Sequence, residues 1–349
     1  MKAGVLHAPH DLRIEDRPEP TFGADDVVIH VRFNGLCGTD ATEYAKGPMM
    51  VPLTNRHPGS GHVGPTTLGH EFIGEIVDAG ANVRSRIGER VACGAGISCG
   101  ACRWCSSGRT NLCERYYTLG LSTHGGLAEF VAAPTGICIP IPDSCLDNNA
   151  ALAQPLAVGI HSVRRARVVA GDTVVVLGTG AIGSFILAAL AGHNGPVIAI
   201  DIDQSRLDTA RILGATQTHL IIPEATSADV RDLLPSGAQI VFETAGVIGS
   251  AERAFALAAR GGRVVLVGLT KVPQPLTLAD LVLREVDVTT TVAHVCGTDV
   301  PEAVTLLDRT DLASILPVSV ISLDDVVQSG LERLSRGAAA GKILVDPRG

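Results

Sequence analysis

From Asp172 onward, short uninterrupted apolar runs alternate with stretches in which apolar residues return every three or four positions. "DTVVVLG" has the length and continuity of a strand buried on both faces. After "GTGAIG", residues Ile182, Phe185, Ile186, Ala189 and Leu190 fall at helical steps. "PVIAIDID" and "AQIVFETAG" predict further strands, "SAERAFALAARGG" an amphipathic helix, and "RVVLVGL" another strand. Strand and helix taking turns predicts an α/β fold with a parallel, doubly wound sheet. Ahead of Pro140 the pattern differs. "DVVIHVRF", "EFIGEIVDAG" and "AEFVAA" are short strand patterns broken by Gly and Pro, which predicts a mostly antiparallel, barrel-like domain. The terminal "GKILVDP" again reads as a strand.

A chain of 349 residues suits about two domains of roughly 150 residues. Apolar residues make up 46% of it but aromatics only 3%, so the cores must be packed with Ala, Val, Leu and Ile. A net charge of −8 without a basic cluster argues against nucleic acid as a partner. No stretch reaches the ~18 uninterrupted apolar residues of a membrane span. The N-terminus lacks a signal-peptide core, so a cytoplasmic protein is expected.

That placement bears on nine cysteines, four of them crowded into "CGACRWCSSGRTNLC". An odd count in a reducing compartment argues against a disulfide framework. The spacing Cys99-x2-Cys102-x2-Cys105-x7-Cys113 lets four thiolates surround one zinc ion. Four ligands leave no open position, so this zinc would be structural. Arg103 and Arg109 are candidates to offset its formal charge of −2. Cys93, Cys138, Cys145 and Cys296 read as apolar filler.

The turn after the first buried strand is G-x-G-x-x-G, and here it lies between a strand and a helix. Gly178 would make the turn and Gly180 would admit a pyrophosphate to the backbone. Gly183 would pack the helix on the sheet, and Ala181 and Ile182 open that helix at the phosphates. Asp201 ends the next strand, where a carboxylate accepts ribose hydroxyls and repels a 2′-phosphate. NAD is therefore favoured over NADP.

A second metal constellation lies upstream. "GLCGTD" carries Cys37, Thr39 and Asp40, and "GHEFIGEIVDAG" carries His70 and Glu71. Thiolate, imidazole and carboxylate suit zinc, and three of them leave room for water or substrate.

With "QPLAVGIHSV" and "VVVLGTGAIG", these motifs stand in the order seen in the zinc-dependent medium-chain alcohol dehydrogenases, which the chain resembles over nearly its whole length. The resemblance implies a catalytic zinc on Cys37, His70 and Glu71, and a hydrogen bond from the substrate oxygen to Thr39. It also implies that Asp40 orients His70 and that the loop cysteines hold a structural zinc, making two zinc ions per chain. Arg206 would contact the adenine-side ribose and Val267 would lie beside the nicotinamide. The Rossmann domain would be inserted into a GroES-like catalytic domain. The expected spans are 1–153 for the catalytic domain with a structural-zinc lobe at about 93–115, 154–294 for the NAD domain, and 295–349 for the return. A homodimer or homotetramer is expected.

Within the family, "CGTDATEYAKGPMMVP", the long insertion that follows, and "AHVCGTD" most resemble the butanediol dehydrogenase branch, with polyol dehydrogenases near it. Two positions depart from that branch. Thr42 stands where a proton-passing His is usual, and Gln154 where a Glu near the zinc is usual. With Cys37 and Glu71 ionised the zinc site is formally neutral, and Gln154 cannot add a charge, which predicts a more electrophilic ion. Gln154 contacting substrate is the alternative. His57 and His62 in the insertion, like His161 and His294, read as ordinary structural residues. The leading expectation is reversible oxidation of a small secondary alcohol or vicinal diol to its ketone. A polyol, an amino alcohol such as threonine, or a specialised biosynthetic alcohol would use the same chemistry. The rival class is a binding protein that kept the fold without catalysis.

Overall fold

The computed structural model describes residues 1–270, 272–339 and 341–349. The chain forms two compact units, Met1–Ala157 with His294–Gly349, and Val158–Ala293.

The first unit opens with β1 (Lys2–Ala8), β2 (Asp11–Asp16) and β3 (Asp26–Leu36), followed by α1 (Gly38–Lys46). Then come β4 (Thr66–Thr67), β5 (Glu71–Ala79), β6 (Arg90–Cys93), β7 (Gly96–Ile97), α2 (Arg103–Ser106), β8 (Tyr117–Thr118), β9 (Phe130–Pro134) and β10 (Cys138–Pro140). Helices α3 (Asp147–Ala150) and α4 (Ala153–Ala166) lead out of it, and the unit boundary falls inside α4.

The long strand β3 organises this unit. It pairs antiparallel with β5, β9 and the C-terminal strand. Its alternate residues Val27, Ile29 and Val31 are buried against Phe72, Ile76 and Val131. That is the period-two pattern of a sheet with one face in the core. Cys93 and Cys138 belong to the same core, which agrees with their reading as apolar filler.

In the second unit β11 (Val174–Leu177), α5 (Ala181–Ala189), β12 (Val197–Asp201), α6 (Gln204–Ile212), β13 (Gln217–Leu220), α7 (Ser227–Leu233), β14 (Ala238–Glu243), α8 (Ser250–Leu257), β15 (Ala258–Leu266), α9 (Leu278–Leu283) and β16 (Asp287–Thr290) alternate. The strands stand in the order β13-β12-β11-β14-β15-β16, every pair parallel. Order reverses between β11 and β14, and this is where such sheets bind ligands, beyond the carboxyl ends of the strands. Every residue of β11 and β12 is buried, which is why these strands are continuous apolar runs.

One expectation needs correction. Helix α8 ends at Leu257, and "AARGG" already belongs to β15. Gly261 has φ +67, and the shift in register between Ala238 and Ile240 absorbs the extra residues. Two glycines cannot extend a helix cheaply, but they fit an irregular strand start.

The chain returns through α10 (Cys296–Arg309), α11 (Leu312–Ile315), β17 (Val318–Ser322), α12 (Glu332–Ser335) and β18 (Lys342–Asp346). Strand β18 pairs parallel with β17 and antiparallel with β3, so it lies between them in the first unit's sheet. No helix among the described residues is long and apolar enough to cross a membrane.

Candidate active site

Cys37 is the N-cap of α1, and its backbone N–H donates to Asp40 Oδ2 at 2.8 Å. The same carboxylate places Oδ1 3.3 Å from Nδ1 of His70, just before β5. Asp40 is fully buried and so holds two candidate ligands at once. Strand β5 begins with Glu71, which stands opposite Gly35 of β3. The donor atoms of Cys37, His70 and Glu71 all lie within 4.8 Å of one another.

This set fits a zinc ion. Its chemistry is right, one thiolate, one imidazole and one carboxylate. A second observation agrees. His70 Nδ1 and Asp40 Oδ1 are buried and face each other without a well-aligned hydrogen bond, although buried polar atoms are normally satisfied. A metal on the other ring nitrogen would fix the tautomer that carries its N–H toward Asp40. Burial disfavours the His70 imidazolium, but the Asp40 carboxylate and Cys37 outweigh it and hold its pKa well above the ordinary histidine value.

Thr39 lies beside the set, its Oγ1 3.7 Å from Cys37 Sγ. Thr42 is differently engaged: its hydroxyl donates to Gly38 O at 2.8 Å, inside α1. Gln154 is half-buried in the first turn of α4. Replacing Asp40 with Asn should lower both metal retention and turnover by about 10–100-fold, because the amide cannot hold Cys37 and His70 as the carboxylate does. Metal content and turnover measured on the same preparation test this. A change in neither would refute it.

The four loop cysteines form a second group, with Sγ atoms again within 4.8 Å of one another. All nine cysteines are free thiols. Backbone N–H groups of Cys99 and Arg115 donate to Cys113 Sγ at 3.2 and 3.3 Å. Backbone N–H groups, chiefly that of Cys105, lower the Cys102 thiol to a pKa of about 6, whereas burial raises Cys113 to about 11. The two loop arginines also pack on an aromatic ring. Arg103 and Arg109 lie over the Trp104 ring, 4.7 and 5.2 Å from its centroid, and Arg103 pairs with Glu114 at 3.7 Å.

At the glycine-rich turn the three glycines do different things. Gly178 has φ +92, and a Cβ there would stand 2.8 Å from Ala245 N. A Cβ on Gly183 would collide with the carbonyl of Gly178. Gly180 faces open space, as an approach route for a ligand requires, and it begins α5 without a side-chain cap. Ala181 is exposed and Ile182 half-buried in the first turn. Those free N–H groups are what an anion would meet.

Asp201 is buried at the end of β12. Its Oδ2 accepts from Thr179 N at 2.6 Å, and its Oδ1 from Ile202 N at 2.7 Å and Asp203 N at 3.0 Å. Arg206 Nη1 lies 3.7 Å from it. Asp203 caps α6 by accepting from Ser205 N and Arg206 N, a role that the sequence reading missed although an Asp before "QSR" is a cap signal. Val267 follows β15 half-buried, its N–H donating to Glu243 O at 2.9 Å.

Two of the histidines set aside above bond within their own loop. His57 Nδ1 accepts from Gly59 N and Ser60 N, and His62 pairs with Thr66 Oγ1 at 2.9 Å. His161 and His294 are buried.

Known proteins resemble the chain in both of its halves. The family described as "Alcohol dehydrogenase GroES-like domain" matches residues 23–143, and "Zinc-binding dehydrogenase" matches residues 181–309. The (R,R)-butanediol dehydrogenase of Bacillus subtilis is 31% identical over 99% of this chain and 100% of its own length. The sorbitol dehydrogenase of the same organism is also 31% identical, over 82% of this chain and 81% of its own. The crystal structure of 2R,3R-butanediol dehydrogenase from Bacillus subtilis superposes with a TM-score of 0.89 at 29% identity, covering 99% of each chain. With both halves matched and a relative spanning the whole length, the chain belongs to the zinc-type medium-chain alcohol dehydrogenases, a family of oxidoreductases acting on alcohols.

Proposed function

We propose that the protein is a zinc-dependent NAD(H) dehydrogenase interconverting a small secondary alcohol or vicinal diol and its ketone. The observation that carries this is the convergence of Cys37, His70 and Glu71, with Asp40 clamping two of them. Zinc would supply a Lewis acid for the alcohol oxygen, and NAD would accept the hydride.

The residues of the chain do the rest. Cys37, His70 and Glu71 hold the ion, and Asp40 keeps the imidazole and the Cys37 backbone in place. Thr39 accepts the hydroxyl proton and hands it to water. Thr42 is a poor next carrier, because its own proton is committed to Gly38 O. In the Val158–Ala293 unit, the Gly180 turn and the first N–H groups of α5 take the pyrophosphate, and Arg206 and Val267 contact ribose and nicotinamide. Asp201 favours NAD by repelling a 2′-phosphate. The 99–113 loop holds a structural zinc. A cytoplasmic homodimer or homotetramer completes the reading.

A panel of vicinal diols, polyols, amino alcohols and simple secondary alcohols, each with NAD and with NADP, tests this. Fastest NADH formation with a small vicinal diol is expected. A preference for polyols, favoured by the likeness to sorbitol dehydrogenase, would move the substrate within the same chemistry. No reduction of either cofactor with any alcohol would end the enzymatic reading.

A further inference from the structure

Glu243 is the last residue of β14, at the carboxyl edge where strand order reverses between β11 and β14. The residue is only 2% exposed. Glutamate is rarely buried so deeply without a partner, because an ionised carboxylate loses its hydration there. One oxygen is accounted for, since Oε1 accepts from Gly246 N at 2.8 Å. The other, Oε2, accepts no hydrogen bond among the described residues, and no Lys or Arg among them pairs with the carboxylate. Asp201, at the corresponding end of β12, differs: backbone N–H groups reach both its oxygens, and Arg206 lies 3.7 Å away.

The space around Oε2 is kept clear by glycine. A Cβ at Gly268 would lie 2.8 Å from Glu243 Oε2 and would collide with Gly246 N. The main-chain carbonyl of Glu243 accepts from Val267 N at 2.9 Å and from Gly268 N at 3.0 Å. On the other side, the Thr244 hydroxyl donates to Leu177 O at 3.0 Å, and a Cβ at Gly178 would stand 2.8 Å from Ala245 N. Residues 243–246 are therefore packed between the glycine-rich turn and the Val267 segment. These are the stretches read above as holding the pyrophosphate and the nicotinamide.

We propose that the Glu243 carboxylate biases this site toward the oxidised cofactor. The inference rests on the reading of the Val158–Ala293 unit as an NAD site. In the reaction a hydride, carrying two electrons, leaves the alcohol carbon, and the hydroxyl proton leaves to water. The pyridinium ring that takes the hydride loses its single positive charge. A fixed carboxylate close to the ring therefore stabilises the oxidised form and leaves the neutral, reduced ring almost unaffected. Burial strengthens the effect, because such a charge is screened little by salt. A purely structural role, holding Gly246 and Val267 in place, would act on both forms alike.

The test is the ratio of the dissociation constants for NAD+ and NADH on the full, zinc-loaded chain. NADH is followed by its fluorescence, and NAD+ by displacement of bound NADH. In Glu243→Gln the amide oxygen can still accept from Gly246 N, but the charge is gone. At the effective dielectric of proteins, one charge within ~10 Å of another amounts to about tenfold in binding, so the ratio should rise about tenfold. A ratio that stays the same or falls overturns the proposal, whatever happens to the two constants separately. Should Glu243→Gln fail to fold, the comparison moves to Glu243→Asp against Glu243→Asn, a pair of equal size that differs in charge. The Asn form should show the higher ratio by about the same factor. Equal ratios in that pair overturn the proposal as well. A native chain that binds neither form would sink the NAD reading itself, and that result is distinct because it appears before any substitution.

Discussion

Cys37→Ser should reduce bound zinc from about two ions per chain to about one, and should cut turnover by about a thousandfold or more. A serine hydroxyl does not ionise near neutral pH as a thiol bound to zinc does, so the set loses its strongest ligand. The loss of a Lewis acid worth several kcal/mol sets the size of the effect, since each ~1.4 kcal/mol is tenfold in rate. The substitution is well suited to separating chemistry from folding. Cys37 is the N-cap of α1, and serine is among the preferred residues there. Asp40 also binds the backbone N–H of residue 37, which serine keeps. Thermal stability of the metal-free forms should therefore change little while zinc content and turnover collapse. Two zinc ions retained, or turnover within a few-fold of the native value, would refute this.

How far these features can be read from the chain depends on how local they are. The parallel half was legible because buried strands must be apolar throughout, and β11 and β12 are. The clustering of the four loop thiols was legible because all of them fall within fifteen residues. The end of α8 was not, because "AARGG" has enough helix-forming residues to hide a strand start that only pairing with Ala238 fixes. Helix α1 was hidden by its shortness; its signal, an acidic residue three after a cap, was present in "CGTD".

The ion pair of Lys342 with Glu71 lies furthest out of reach. Its partners are 271 residues apart, and their meeting requires β3 between them with a glycine at the crossing. A lysine at the head of the buried strand "KILVD" is the trace it leaves, since such a charge needs a partner. That trace says a partner exists but not which. The same limit applies to the loop arginines, whose stacking on Trp104 the sequence does not announce.

Removing the loop metal should leave the 99–113 segment without a fold of its own. Helix α2 is a single turn, and between Cys99 and Tyr117 only Asn111 and Cys113 are buried. Apart from the partly buried Trp104 and Leu112, little apolar surface therefore leaves water when this segment folds, and backbone ordering alone costs about 1–2 kcal/mol per residue. A zinc ion on four thiolates contributes ~10–16 kcal/mol at neutral pH, which offsets a large part of that cost. In the double variant Cys102→Ser/Cys105→Ser, one zinc per chain should be lost and the segment should be cut by trypsin at Arg103, Arg109 or Arg115. The Val158–Ala293 unit has its own apolar core around Val175, Ile198 and Val241, so binding of NADH, read by its fluorescence, should persist. Limited proteolysis with and without added zinc provides the comparison. A segment that stays protected after its metal is gone would mean that packing, and not the ion, holds it.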